Sequence, residues 1–260
     1  MSIYLQTATR PAQAAPMTDA ERQARIELAA AYRIFHMLGW VESIFNHITA
    51  RVPGPQVRFL INPFGLHYSE VTASNLVLID LDGNPLRETS WPVNRAGFVI
   101  HSAIHGAIED AHCVMHTHTT TGCAVSCLEN GLSPHNFYGA MLAGQVAYHE
   151  FEGITVEPGE KERLVRDIGG KRAVILRNHG LLAWGPSVPQ AFQMLWTLQR
   201  ACDVQIAASA AGAIHPIRPE VFEQTVRESG QGEKRTCEDV FAAMQRLVDA
   251  RDPSYRGALD

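Results

Sequence analysis

The sequence predicts an α/β fold around a mainly antiparallel sheet, and two observations carry that expectation. Short β-type runs lie between Trp40 and Asp80 and are joined by short turns, which argues for antiparallel pairing. Before and after them, apolar residues recur three and four apart, as on the packed face of a helix. With 46% apolar residues over 260 positions the chain can bury one large core, and nothing in it forces a split into two domains.

Residues 1–17 mix Ala, Pro, Gln and Thr without periodicity and read as a flexible arm. Order is expected from Thr18, whose hydroxyl caps a helix while Glu21 returns the bond; Leu28, Ala31, Tyr32, Phe35 and Leu38 mark its apolar face and Gly39 ends it. Ile48 to Val52 is a strand closed by Pro53-Gly54-Pro55, Arg58 to Ile61 a strand closed by Asn62-Pro63, and Leu76 to Asp80 a strand leading into a hairpin turn at Leu81-Asp82-Gly83-Asn84. Ile100, Ala103, Ile104, Ala107 and Ile108 define a helix, followed by a strand that ends in His116 and His118. Thr119 to Glu129 reads as a helix, and Leu132 to Tyr148 as loop with a short strand at its end. A helix over Glu160 to Gly169 precedes the strand Ala173 to Leu176, and Ser187 caps a long helix from Pro189 to Ala211. The domain is therefore drawn over 18–225, and 226–260 holds a Gly230-Gln231-Gly232 linker and one amphipathic helix, Glu238 to Ala250.

A net charge of −5 with scattered Lys and Arg offers no basic stripe, so neither nucleic acid nor an anionic membrane is an expected partner. No apolar run reaches the roughly 18–20 residues that span a bilayer, and no signal-peptide pattern opens the chain; a cytoplasmic protein is expected. The five cysteines are odd in number and form no Cys-x-x-Cys pair, which fits reduced thiols. Cys123 and Cys127 share a helix face and read as packing residues.

The chemistry gathers at His116-Thr117-His118. Side chains alternate along a strand, so both imidazoles point the same way with their bases roughly 6–7 Å apart, close enough to converge on one ion. His179, in Arg177-Asn178-His179-Gly180, lies at the mouth of another strand, where Gly180 permits a turn. Three imidazoles suit zinc, iron(II), cobalt or manganese, and three protein ligands with an open position is the catalytic arrangement. His101 and His105, four apart on a helix, are a rival pair, but isoleucines flank them and no third ligand follows; His101 is a candidate for the cavity wall instead. His112 shares the strand face of His116 but lies at its far end, and His67, His135, His149 and His215 lack paired context.

The order Asn94-Arg95-Ala96-Gly97-Phe98, then His116-Thr117-His118, then Asn178-His179-Gly180-Leu181 resembles the class II aldolase/adducin family from about residue 20 to about residue 215. The resemblance implies a three-layer α/β/α sandwich assembled as a homotetramer, with a divalent metal, zinc before iron, manganese or cobalt, held by His116, His118 and His179. It also implies that Tyr138, in Pro134-His135-Asn136-Phe137-Tyr138, enters a neighbouring subunit's site as general acid, and that Asn46 and Gly65 stand in the substrate-binding loops. Asn94 and Arg95 are read as orienting the substrate, since the planar guanidinium of Arg95 can hold a carboxylate through two parallel bonds. The sugar-phosphate aldolases of the family carry an acidic base where this chain has Pro92-Val93-Asn94-Arg95-Ala96-Gly97, a stretch with no carboxylate. Phe45 and Phe64 stand where those relatives cradle phosphate, and phenyl rings supply no donors.

The expected function is a metal-dependent lyase, aldolase or decarboxylase in type, acting on an unphosphorylated carbonyl or oxo-acid substrate through an enolate. Decarboxylation reaches that enolate without a base, which suits the missing carboxylate. The alternatives are a non-haem Fe(II) oxygenase on the same scaffold and a non-catalytic binding protein like the adducin branch.

Overall fold

The computed structural model describes residues 16–153, 159–229 and 234–259, and at Arg95 and Ala96 the backbone alone. Seven strands form one sheet: β1 (Ile48–Arg51), β2 (Phe59–Ile61), β3 (Val77–Ile79), β4 (Cys113–Thr117), β5 (Val146–His149), β6 (Ala173–Leu176) and β7 (Gly180–Gly185). Their order is β3-β2-β1-β4-β7-β6-β5, and every pair is antiparallel except β5 with β6. The described helices are α1 (Asp19–Leu38), α2 (Arg95–Ala107), α3 (Thr120–Ser126), α4 (Phe137–Met141), α5 (Glu160–Ile168), α6 (Val188–Ala211), α7 (Pro219–Ser229) and α8 (Lys234–Arg251).

Strand alternation sorts the core into two sides. Cys113, Met115, Ile175, Leu181 and Ala183 pack with α1, α6 and α8, whose contributions include Tyr32, Phe35, Phe192 and Phe241. Val114, Val174, Leu182 and Trp184 face the other way, against Ile104 of α2 and Leu164 and Ile168 of α5. Helices thus cover both faces of a mixed sheet, the three-layer α/β/α sandwich expected. No helix among the described residues is long and apolar enough to cross a membrane.

Several local expectations need correcting. Thr18 does cap α1 by accepting from the Glu21 amide, but the Glu21 carboxylate does not return the bond. It is buried, 3.0 Å from Arg25 Nε and 2.9 Å from an Arg87 guanidinium nitrogen, because charge-assisted bonds outweigh one to a neutral amide. The hairpin after β3 shrinks to a single bridge, Ile79 to Pro85, since proline has no amide to extend a ladder. The C-terminal part holds two helices rather than one. A boundary at 225 falls inside α7, and α8 returns Phe241 and Val248 to the main core. The arm at 1–15 and the Gly230-Gln231-Gly232 linker lie outside the described residues.

Candidate metal centre and its cavity

His116 sits on β4, hydrogen-bonded on one side to β1 and on the other to β7, where it stands opposite Leu182. His118 follows just past the strand end. His179 occupies the turn between β6 and β7, a turn made possible by Asn178 in the left-handed region at φ 56°, which asparagine tolerates better than most residues. The turn is fixed from outside: the Asn178 amide donates to the Ser126 carbonyl at 3.2 Å and the Cys123 thiol to the His179 carbonyl at 3.1 Å.

These elements bring the rings of His116, His118 and His179 to centroid separations of 4.5, 4.9 and 4.8 Å. One ligand-type nitrogen from each lies within 4.8 Å of the others. His116 Nδ1–H donates to the Leu181 carbonyl at 2.8 Å, which leaves a lone pair on Nε2. His118 Nε2 is 2.7 Å from that atom, a distance at which two lone pairs repel unless a hydrogen or a cation lies between them. Burial, first of all, pushes His116 well below the ordinary histidine range, His179 down to about 4, and His118 in the same direction, against the pull of the Glu42 carboxylate. Neutral imidazoles converging in this way fit a divalent cation. Gly180 keeps the approach open: a Cβ there would stand 2.4 Å from the Thr117 carbonyl oxygen and 3.0 Å from His118 Cδ2.

The cluster opens onto a cavity of about 540 Å³. One wall comes from the α1–β1 connection and α2, with Phe45, His47, Asn94 and His101; the other comes from the end of β5 and the segment after it, with His149 to Gly153. Phe45 and Phe151 are half exposed at its mouth, Phe151 with its ring 6.2 Å from that of His179. Glu42, Glu150, Glu152 and Glu160 add carboxylates.

Asn94 caps α2, accepting from the Gly97 amide at 3.2 Å, and lines the cavity as expected. The Arg95 side chain lies outside the described residues. Asn46 and Gly65 are not in the cavity wall. Phe45 and His47 face the cavity and Asn46 between them does not; its amide is buried, with neither polar atom partnered among the described residues. Gly65 serves a turn, with φ 102°. Tyr138 packs edge-on against Trp196 at 5.7 Å and is not part of its own chain's cavity wall. His101 and His105 are not a ligand pair; both hydrogen-bond to Thr49 Oγ1.

Sequence reasoning missed His47 and Glu42, which belong to the connection before β1 and have no spacing partner to announce them. It also missed the tie of His149 Nδ1 to Asp167 at 2.8 Å. Gly97 carries the one sequence signal for His47, since a Cβ there would meet His47 Cε1 at 2.6 Å.

The mixed sheet between helix layers, with three histidines at the ends of central strands, defines a class II aldolase type of domain. The chain belongs to the class II aldolase and adducin N-terminal domain family, whose model matches residues 26–206. It is similar to an aldolase II superfamily protein of Pseudomonas syringae, at 42% identity and a TM-score of 0.90 over 93% of this chain and 98% of that one. The L-fuculose 1-phosphate aldolase of Glaciozyma antarctica superposes with a TM-score of 0.81 at 28% identity, over 94% and 97% of the two chains. Alpha-adducin of Rattus norvegicus is 47% identical over 197 residues, which are 74% of this chain and 27% of the adducin.

Proposed function

We infer that the protein is a metal-dependent carbon–carbon lyase, of aldolase or decarboxylase type, acting on an unphosphorylated carbonyl or oxo-acid substrate. The observation that carries this reading is the convergence of His116, His118 and His179 at a cavity, with His116 held by the Leu181 carbonyl so that Nε2 is free to ligate. These three residues would hold the ion, zinc before iron, manganese or cobalt. When bound, such an ion acts as a Lewis acid for a carbonyl oxygen on which negative charge develops. Asn94, at the N-terminus of α2, orients the substrate, with Arg95 as its companion.

The wall chemistry supports the substrate class. Phe45 and Phe151 offer apolar contact, and the carboxylates of Glu42 and Glu150 oppose a dianionic phosphate more strongly than a singly charged or neutral ligand. Homotetramer assembly, with Tyr138 delivered to a neighbour's cavity, and a cytoplasmic location belong to the same proposal.

The 47% identity to alpha-adducin favours a second reading, a binding module without chemistry. Metal analysis of protein purified without added metal separates the two. The lyase reading expects one divalent ion per chain, lost in the His116→Ala, His118→Ala double variant; a metal-free wild type, or a double variant that keeps its ion, refutes it. Iron found together with substrate-dependent oxygen uptake would assign oxygenase chemistry instead. Simple 2-oxo acids should compete for the metal, sugar phosphates should not turn over, and Arg95→Ala should weaken carboxylate binding.

A further inference from the structure

The cavity wall formed by the end of β5 carries a histidine that the reading above leaves without a task. Ala147 packs on the same side of the sheet as Val114, so His149 and His116, each two residues further on, project from the same face. His149 is level with Leu176 and Gly180, the residues that bracket the turn holding His179. β6 and β7 separate β5 from β4, three strand spacings or roughly 14 Å, a span that facing imidazoles narrow to the length of a small acid.

His149 Nδ1 lies 2.8 Å from an Asp167 carboxylate oxygen on α5. A carboxylate accepts, so Nδ1 carries the hydrogen and, in the neutral ring, Nε2 carries the lone pair. His149 is buried and lines the cavity, and its Nε2 has no hydrogen-bond partner among the described residues, an uncommon state for a buried polar atom. Glu152 Oε1 stands 3.9 Å from Nε2, beyond hydrogen-bond reach, and accepts instead from Arg163 Nε at 2.7 Å. Arg166 lies 3.4 Å from the other Asp167 oxygen. Among the described residues His149 is the one cavity-lining histidine hydrogen-bonded to a carboxylate, and the Glu42 and Glu150 side chains that share the cavity are exposed to solvent.

We propose that His149 is the general base of this cavity, with Asp167 as the positioning residue that fixes its tautomer. It takes over the task of the carboxylate missing between Pro92 and Gly97. The proposal rests on the lyase reading, which sets the substrate carbonyl at His116, His118 and His179. Nε2 removes a proton from the carbon next to that carbonyl: the C–H bond breaks, its electron pair becomes the C=C bond of the enolate, and the carbonyl π pair moves to oxygen. The proton stays on Nε2, where the Asp167 carboxylate stabilises the imidazolium, and goes back to carbon when the enolate is reprotonated.

The test follows the methyl hydrogens of pyruvate by proton NMR in heavy water with zinc-loaded full-length protein, and measures pyruvate affinity by calorimetry. The wild type should exchange them for deuterium well above the rate with zinc ions alone. His149→Gln should slow the exchange by about 10²–10⁴-fold, the usual share of a general base, with zinc content and pyruvate affinity unchanged. Asp167→Asn, which stands in if His149→Gln fails to fold, should slow it by roughly 10²-fold or more at the same affinity, since an amide no longer enforces the tautomer. Exchange that survives in either folded variant, or that falls only in step with pyruvate affinity or zinc content, overturns the assignment. A wild type that binds pyruvate without exchanging its hydrogens also overturns it and leaves the lyase reading intact; a wild type that does not bind pyruvate refutes the lyase reading and the base together. Nitrogen-15 spectra of the zinc-loaded, ligand-free protein in mildly alkaline solution read the tautomer directly: Nδ1-protonated His149 is expected, and Nε2-protonated His149 overturns the proposal.

Discussion

Gly180→Ala is the substitution in which stability and the candidate centre should fail together. Gly180 opens β7 opposite Leu176, and an added Cβ would lie 2.4 Å from the Thr117 carbonyl oxygen, 3.0 Å from His118 Cδ2 and 3.4 Å from His116 Cε1. The first of these neighbours is backbone of β4 and cannot swing aside, so β4 and β7 must move apart where they deliver two of the three histidines. Overpacking of this kind costs about 1–3 kcal/mol. At ~2–4 °C per kcal/mol for a chain of this size, the melting temperature should fall by ~2–12 °C. Displaced imidazoles should weaken metal binding by ~10–100-fold, the usual penalty for disturbing the support of a ligand set. Gly106→Ala in α2 is the control: its Cβ meets only Leu81, at 3.6 Å, and a helical glycine-to-alanine change should stabilise by ~0.5–1 kcal/mol. Thermal and denaturant unfolding with metal titration would measure all three quantities. A Gly180→Ala protein as stable as the wild type, with unchanged metal affinity, would refute the argument.

Three further outcomes are expected. Glu21→Gln leaves Arg25 and Arg87 around an uncharged amide in a buried site, and should destabilise by ~3–5 kcal/mol in urea unfolding; a loss under 1 kcal/mol would show the arginines re-partnered. Gly97→Ala must displace His47, so calorimetry should show weaker binding of oxo acids to metal-loaded protein at unchanged metal content, and an unaltered affinity would remove His47 from the cavity's function. His105 titrates near 6.5 when unfolded and near 3 when folded, so its contribution is complete above pH 6.5 and is lost as pH falls towards 3, about 2 kcal/mol of it by pH 5. His105→Gln should flatten the stability profile over that range, and parallel profiles for the two proteins would contradict the neutral buried imidazole.

What was legible in the sequence was whatever obeys a short period. His116 and His118 share a strand face, His179 follows a β-type run into a turn, and the apolar faces of α1, α2 and α6 recur at helical spacing; each of these was read in its place. α7 was missed because its apolar face is short, Val221, Phe222 and Val226 among polar neighbours, and none of its residues is buried in the core. Glu21 was assigned to a cap because its arginine partners at 58 and 87 are joined to it only by the tertiary fold. The same holds for the cavity wall. His47 and His101 come together from the connection before β1 and from α2, and the Thr49 hydroxyl that hydrogen-bonds to His101 stands on β1; no local pattern announces a contact between elements that distant in the chain.

The two sides of the cavity differ in how deeply their supporting strands are set in the sheet. β4, which carries His116, is bonded to strands on both sides, whereas β5 is an edge strand of four residues with β6 as its one partner. Edge amides with few neighbours exchange through local opening far below the global unfolding free energy. Amide exchange should therefore be slow at Val114 to His116 and fast at Val146 to His149. The segment from His149 to Gly153 hangs from that fast-exchanging edge, so small molecules would enter and leave on this side while the histidine cluster keeps its shape.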